Sequence, residues 1–315
     1  MRDCQLFFVH GINNEGDTAA NIRETWLRAL EDGWRVAECT VEGARLRTGA
    51  AYYGDKLAES TNRWDKNKLT IIDQGGNDVS DADEVSTLYG EYERVLYQEF
   101  GEGANEVELE AEAVEMGLPH TQSTKRAALL IEALDPKRGS FLVERFLPQA
   151  AAYIQRPGLR SGIDGMVNDA LREFVQPHKP LLVISHSLGT VVSYGVLRRA
   201  KYLEEVPVAL VTIGSPLGSL AMQKILPAPR IRPACVKRWV NAADRRDFVA
   251  IRYILDEKTF GKADIKNLEG LENGEEDRHS IIGYLKTKVL AKAIFELLDS
   301  WAARDWSRNA SDSVI

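Results

Sequence analysis

The chain has 315 residues, 44% of them hydrophobic and 28% charged, with a formal net charge of −7. That apolar mass fits one large α/β domain with insertions, or two average domains, and excludes global disorder and a disulfide-stapled miniprotein. The acidic balance carries no electrostatic footprint for nucleic acid or for an anionic membrane. The three cysteines, Cys4, Cys39 and Cys235, lie far apart and form no CxxC pair, and no Cys/His cluster has zinc-ligand spacing. No metal or other cofactor is therefore expected, and lone thiols suit a reducing compartment. The first apolar run, Leu6 to Val9, is too short for a signal peptide and ends at His10-Gly11, so a cytoplasmic location is expected.

Along the chain, four short apolar runs read as strands: Leu6 to Val9, Leu181 to Ile184, Val208 to Ile213 and Val236 to Val240. Most are apolar at consecutive positions, the mark of strands buried on both faces of a parallel sheet. Helical patterns lie between them. Asp17 is a plausible N-cap for a helix whose face carries Ile22, Trp26, Ala29 and Leu30; a second helix spans 188–200; a third stripe runs through Ile282, Leu285, Val289, Ala293, Ile294 and Leu297. Two windows without Asp, Glu, Lys or Arg, 180–197 and 206–223, contain prolines, glycines and serines; they read as strand-turn-helix segments, with no transmembrane span. Strands alternating with helices predict an α/β fold with a mostly parallel central sheet flanked by helices.

The stretch 55–162 breaks this rhythm. Helical segments are expected near 82–100, 105–116, 122–134 and 140–155, with no convincing strand, so the stretch reads as a helical cap or lid inserted into a core made of 1–54 and 163–300. Residues 99–115 carry seven glutamates and no basic residue, a solvated helix face before it is a docking surface for a regulatory protein partner. The polar tail 301–315 is expected to fray.

Ser185-His186-Ser187-Leu188-Gly189 lies between a buried strand and a helix. A serine nucleophile on a sharp strand-to-helix turn needs small neighbours two positions either side, and the following helix aims its first amides at a developing oxyanion. Ser187 is thus the candidate nucleophile, with Ser185 standing where the usual pattern has glycine. A base must serve it, and of the histidines (His10, His120, His178, His186, His279) only His279 lies C-terminal to Ser187.

The chain resembles the α/β-hydrolase superfamily of lipase- and esterase-like serine hydrolases, over the N-terminal strand and loop and most of 163–300. The resemblance implies a Ser-acid-His order. His279, in Asp277-Arg278-His279-Ser280, is similar to that family's catalytic histidine loop. Asp247, in Asp247-Phe248-Val249, is the nearer match to its acid, with Asp244 the alternative. Phe7-Phe8-Val9-His10-Gly11-Ile12-Asn13 resembles the family's His-Gly loop, implying oxyanion donors at the amides of Ile12 and Leu188. Gly11, Asn13 and, from Gly214-Ser215-Pro216-Leu217-Gly218, Pro216 are the candidate substrate-binding residues. The activity implied is cleavage of a carboxylic ester, lipid esters included, through an acyl-enzyme. The rival from another class is a partner-gated effector or a non-catalytic interaction module on the same fold.

Overall fold

The computed structural model describes residues 4–40, 46–61, 64–65, 70–72, 78–79, 146–274 and 277–302. Its centre is a six-stranded, wholly parallel sheet. Strand β1 (Gln5–Val9) is flanked on one side by β2 (Arg47–Ala51) and on the other by β6 (Leu181–His186); β7 (Val208–Ile213), β8 (Val236–Ala242) and β9 (Lys266–Asn267) follow outward. Every residue of β1, β6 and β7 is buried, as expected of strands covered on both faces.

Alternation along each strand decides which side chain meets which layer. Phe7, Val9, Leu181, Val183, Val208 and Leu210 join one apolar cluster. On that face pack α3 (Leu147–Gln155), α4 (Pro157–Phe174) and α5 (Leu188–Leu197). Leu6, Phe8, Leu182, Ile184, Ala209 and Val211 join the other cluster, under α1 (Ala19–Val36), α7 (Ile281–Lys286) and α8 (Lys288–Ala302). The stripe Ile22, Trp26, Ala29 and Leu30 is buried as its spacing predicts. The cap of α1 is Thr18, one residue beyond the expected Asp17: the Thr18 hydroxyl accepts the Asn21 amide at 3.1 Å, while Asp17 accepts the Thr18 amide at 2.7 Å. The C-terminal stripe is two helices, because Thr287 is extended (φ −67°, ψ 134°) between α7 and α8. Val289, placed on the stripe, is 38% exposed.

Two edge strands lie outside the expected set. β2 reads Arg-Thr-Gly-Ala-Ala and is mostly half-exposed, and β9 has only two residues; neither offers the apolar run that marks the interior strands. Nor is the stretch 55–162 without strands. Trp64–Asp65 (β3), Thr70–Ile72 (β4) and Asp78–Val79 (β5) pair antiparallel in a small second sheet. The β-branched Thr-Ile-Ile triplet before Gly75-Gly76 is the signal for it. Helix α2 (Gly54–Thr61) precedes these strands, and the short α6 (Leu220–Lys224) follows β7. Residues 82–134, with the acidic segment 99–115, lie outside the described residues. At the far end, Phe146, Leu147, Ala150, Tyr153 and Ile154 belong to the same apolar cluster as the sheet. No described helix is long and apolar enough to cross a membrane.

A buried polar tie fastens the helices of this face. The Tyr153 hydroxyl donates to Asp164 Oδ1 at 2.6 Å, and Arg199 Nη2 reaches Oδ2 at 2.5 Å. The Asp164 side chain is 12% exposed but that of Arg199 is 54% exposed, so water substitutes for the arginine more readily than for the phenol. Asp164→Ala is therefore expected to lower unfolding stability by roughly 2–3 kcal/mol, and Arg199→Ala by about 1 kcal/mol or less, read from urea midpoints. Equal losses would show that the ion pair, not the phenol contact, holds these helices.

Candidate active site

The chain enters the sheet at β1, adds β2 on one side, then returns to place β6 on the other. In open parallel sheets such a reversal leaves a crevice at the carboxyl ends of the strands. The loops after β1 and β6 flank it, and these carry the His10-Gly11 and Ser187 sequences.

Ser187 follows β6 directly, with φ 55° and ψ −134°. This is left-handed, strained backbone for a residue with a side chain, costing on the order of 1–3 kcal/mol. The turn is held by Ser187 N–H donating to Ile213 O (3.0 Å) and by the Thr190 amide (3.0 Å) and hydroxyl (2.7 Å) donating to Ser187 O. Ser185 is absorbed in the sheet, its hydroxyl donating to Val211 O at 3.2 Å. Gly189 is required by the loop above it: a Cβ there would stand 2.1 Å from His10 O and 2.6 Å from Val9 O. Gly11 lies against the serine, where a Cβ would be 2.5 Å from Ser187 Cβ and 3.1 Å from Oγ. Ser187 Oγ is buried and makes no hydrogen bond among the described residues. Leu188 opens α5, so its amide belongs to the helix's unsatisfied first turn.

His10 is a structural hydrogen-bonding group. Its Nδ1–H donates to Gly11 O at 2.7 Å, its Nε2 accepts the Tyr53 amide at 3.1 Å, and the rings of His10 and Tyr53 stack 4.1 Å apart. The Tyr53 hydroxyl donates to His10 O. Burial pushes the His10 imidazole down to about 4, so it is neutral. Ile12 is buried and its carbonyl accepts Asn14 Nδ2 at 2.6 Å. Asn13 is exposed, with φ 58°. Pro216 opens a buried 3-10 turn whose preceding residue, Ser215, shares a 2.7 Å hydrogen bond with Thr190.

The loops after β7 and β8 complete the site. Gly214 N–H donates to Ala242 O at 2.9 Å, extending the ladder past the strand ends. His279 Nδ1 lies 2.9 Å from Asp247 Oδ1 and 2.8 Å from Oδ2. Gly214 (φ 54°) makes room for this pair, since a Cβ there would stand 2.8 Å from Asp247 Oδ2 and 3.1 Å from the imidazole. Asp247 Oδ1 also accepts the Val249 amide at 2.9 Å, and Oδ2 the Tyr284 hydroxyl at 2.7 Å. Asp244 is engaged elsewhere: Oδ1 accepts the Arg246 amide and Oδ2 the Asn273 amide, each at 2.8 Å.

Three residues passed over in the sequence hold His279. His186 Nε2–H donates to His279 O at 2.8 Å, with the two rings 4.4 Å apart. Burial holds His186 well below the usual imidazole range, so it is a neutral donor. Asn273 Nδ2 bridges the carbonyls of Arg278 (3.0 Å) and Ser280 (2.9 Å). Tyr284 accepts the Asp244 amide at 2.8 Å while donating to Asp247. A polar aromatic in the first turn of an apolar helix was the only sequence signal for Tyr284. Among the described residues no group of three or more His, Cys, Asp or Glu side chains is placed to hold a metal ion.

Two neutral buried histidines link stability to pH. Unfolding returns them to an ordinary value near 6.5, so the unfolded state binds more protons between that value and the depressed folded ones. Stability is fully present above pH 6.5 and falls as pH drops toward 4 for His10. From His10 alone the loss between pH 7.5 and 5 is about 2 kcal/mol. Urea unfolding across this range should show the decline, and His10→Gln should flatten it. An unchanged slope in that variant would mean His10 is charged in the folded protein.

Comparison with protein-family models, with curated proteins and with solved structures found no match. The functional reading therefore rests on the site's own geometry.

Proposed function

We propose that the chain is a serine hydrolase of the α/β-hydrolase type that cleaves a carboxylic ester, lipid esters included, through an acyl-enzyme. The observation that carries this reading is the buried Asp247–His279 pair, 2.8 Å apart, whose His279 carbonyl is held by His186, the residue before the strained turn of Ser187. A carboxylate on Nδ1 fixes the tautomer in which Nε2 is the base and stabilises the imidazolium that forms.

In the first half-reaction Ser187 Oγ attacks the ester carbonyl carbon and its proton passes to His279 Nε2. The resulting oxyanion is held by the amides of Ile12 and Leu188, each worth about 3 kcal/mol in comparable sites. The C–O bond to the leaving alcohol then breaks, and that alkoxide takes the proton from His279. Water attacks the acyl-enzyme with His279 again as base, releasing the acid and restoring Ser187. Among the described residues Ser187 Oγ makes no hydrogen bond; catalytic contacts commonly tighten only with substrate bound. Asp247 is the proposed acid, and Asp244 supports the loop that carries His279.

A fluorophosphonate probe read by intact mass tests this reading. One adduct on the wild-type chain, absent from Ser187→Ala, is the expected result. On a p-nitrophenyl ester, Ser187→Ala and His279→Ala should each lower turnover by roughly 10⁶, and Asp247→Asn by about 10⁴. Asp244→Asn should be far milder. The reverse ranking of the two aspartates would move the acid to Asp244. No adduct on folded protein would favour the partner-gated or non-catalytic alternative.

A further inference from the structure

We infer that Tyr284 is a positioning residue of this site: its hydroxyl, oriented by the Asp244 amide, fixes and polarises the Asp247 carboxylate against His279. The inference rests on the proposed role of His279 as general base.

A phenylalanine would fill the same apolar volume, for the ring of Tyr284 is fully buried beneath the sheet. The hydroxyl therefore needs its own account, and its two partners supply one. It accepts Asp244 N–H at 2.8 Å and donates to Asp247 Oδ2 at 2.7 Å. Accepting a backbone N–H strengthens a hydroxyl as a donor. Asp247 Oδ2 is also the oxygen nearer His279 Nδ1. Oδ1 is pinned by the Val249 amide at 2.9 Å. Among the described residues, loss of Tyr284 would leave the Val249 amide as the carboxylate's anchor besides His279 itself, with its terminal torsion less constrained. The clamp is also mechanically tied to the base. Tyr284 N–H donates to Ser280 O at 3.0 Å, and Ser280, next to His279, caps α7. One short helix thus carries both the histidine loop and the group that holds its acid.

Several charged and titratable groups among the described residues surround His279. Asp247 and Tyr284 face the pair directly, the His186 ring lies 4.4 Å from the imidazole, and Asp277 Oδ1 accepts the His279 amide at 2.9 Å. Arg278 adjoins it in sequence, and Asp244 with Arg246 lies one hydrogen bond further out. Among these, Tyr284 alone donates a side-chain hydrogen to Asp247 besides His279 itself.

Tyr284→Phe in the full chain deletes only the bridge. The nitrogen-15 shifts of the His279 ring, assigned by their loss in His279→Gln, report the Asp247 contact without any substrate. The rate and pH profile of fluorophosphonate labelling report its consequence. The expected result is a change in both ring-nitrogen shifts, labelling slowed roughly tenfold to a hundredfold, and a displaced pH profile. A folded Tyr284→Phe with unmoved shifts and labelling within twofold of wild type overturns the inference. Should that variant not fold, 3-fluorotyrosine at position 284 keeps the bridge with a more acidic hydroxyl; unmoved His279 shifts there overturn it equally. A wild-type chain that takes no label sinks the hydrolase reading alone, because the ring-nitrogen comparison still tests Tyr284.

Discussion

A carboxylate only 4% exposed has lost its water and needs hydrogen-bond donors in its place. Among the described residues Asp247 finds three, from three places in the chain: the Val249 amide, the His279 imidazole and the Tyr284 hydroxyl. That one requirement explains much of the surrounding sequence. It demands a tight turn after β8, a histidine loop delivered from 32 residues downstream, and a helix start that brings a phenol back over the site. It also removes a side chain at Gly214, where even a methyl group would collide with the pair. Breaking any one of these contacts leaves the others holding an under-satisfied charge, which is why the segments behave as a unit.

The sheet does the work of concentration. Its strands run in one direction, so all their carboxyl ends emerge together, and the hydrogen-bond ladder continues past them. Ser187 N–H reaches Ile213 O, and Gly214 N–H reaches Ala242 O. The loops after β6, β7 and β8 are thereby laid side by side before any side chain contributes. The two buried histidines at this end serve the same construction. His10 ties the loop after β1 to Tyr53, and His186 holds the carbonyl of His279. Both are kept neutral by burial, so neither adds a positive charge that would compete with His279 for the carboxylate.

What could be read from the sequence follows the strength of the local pattern. Interior strands were legible because β1, β6 and β7 are buried on both faces and so carry runs of consecutive apolar residues. The edge strand Arg47–Ala51 has no such demand, and its residues resemble those of a loop. Ser187 was legible because a strained strand-to-helix turn restricts its neighbours to small residues. His279 was legible by chain order. His186, Asn273 and Tyr284 were not, since each acts through a contact with residues 29 to 93 positions away or through a main-chain carbonyl, and no spacing rule encodes such pairings. The described start of 55–162 holds strands where helices alone were expected, because Thr-Ile-Ile is too short a run to stand out.

The choice between Asp244 and Asp247 shows where residue pattern ends and geometry begins. Both lie in one tight turn, with Asp247 N–H donating to Asp244 O at 3.0 Å. Both are buried and both accept backbone amides. They differ in what closes over each. Asp244 receives the amide of Asn273, whose side chain then grips the carbonyls on either side of His279. Asp247 receives the imidazole itself. The first carboxylate thus sets where the histidine loop runs, and the second sets how its ring is turned. Tyr284 spans them, taking the amide of one and donating to the carboxylate of the other, so placing the loop and orienting the ring are not separable tasks in this fold.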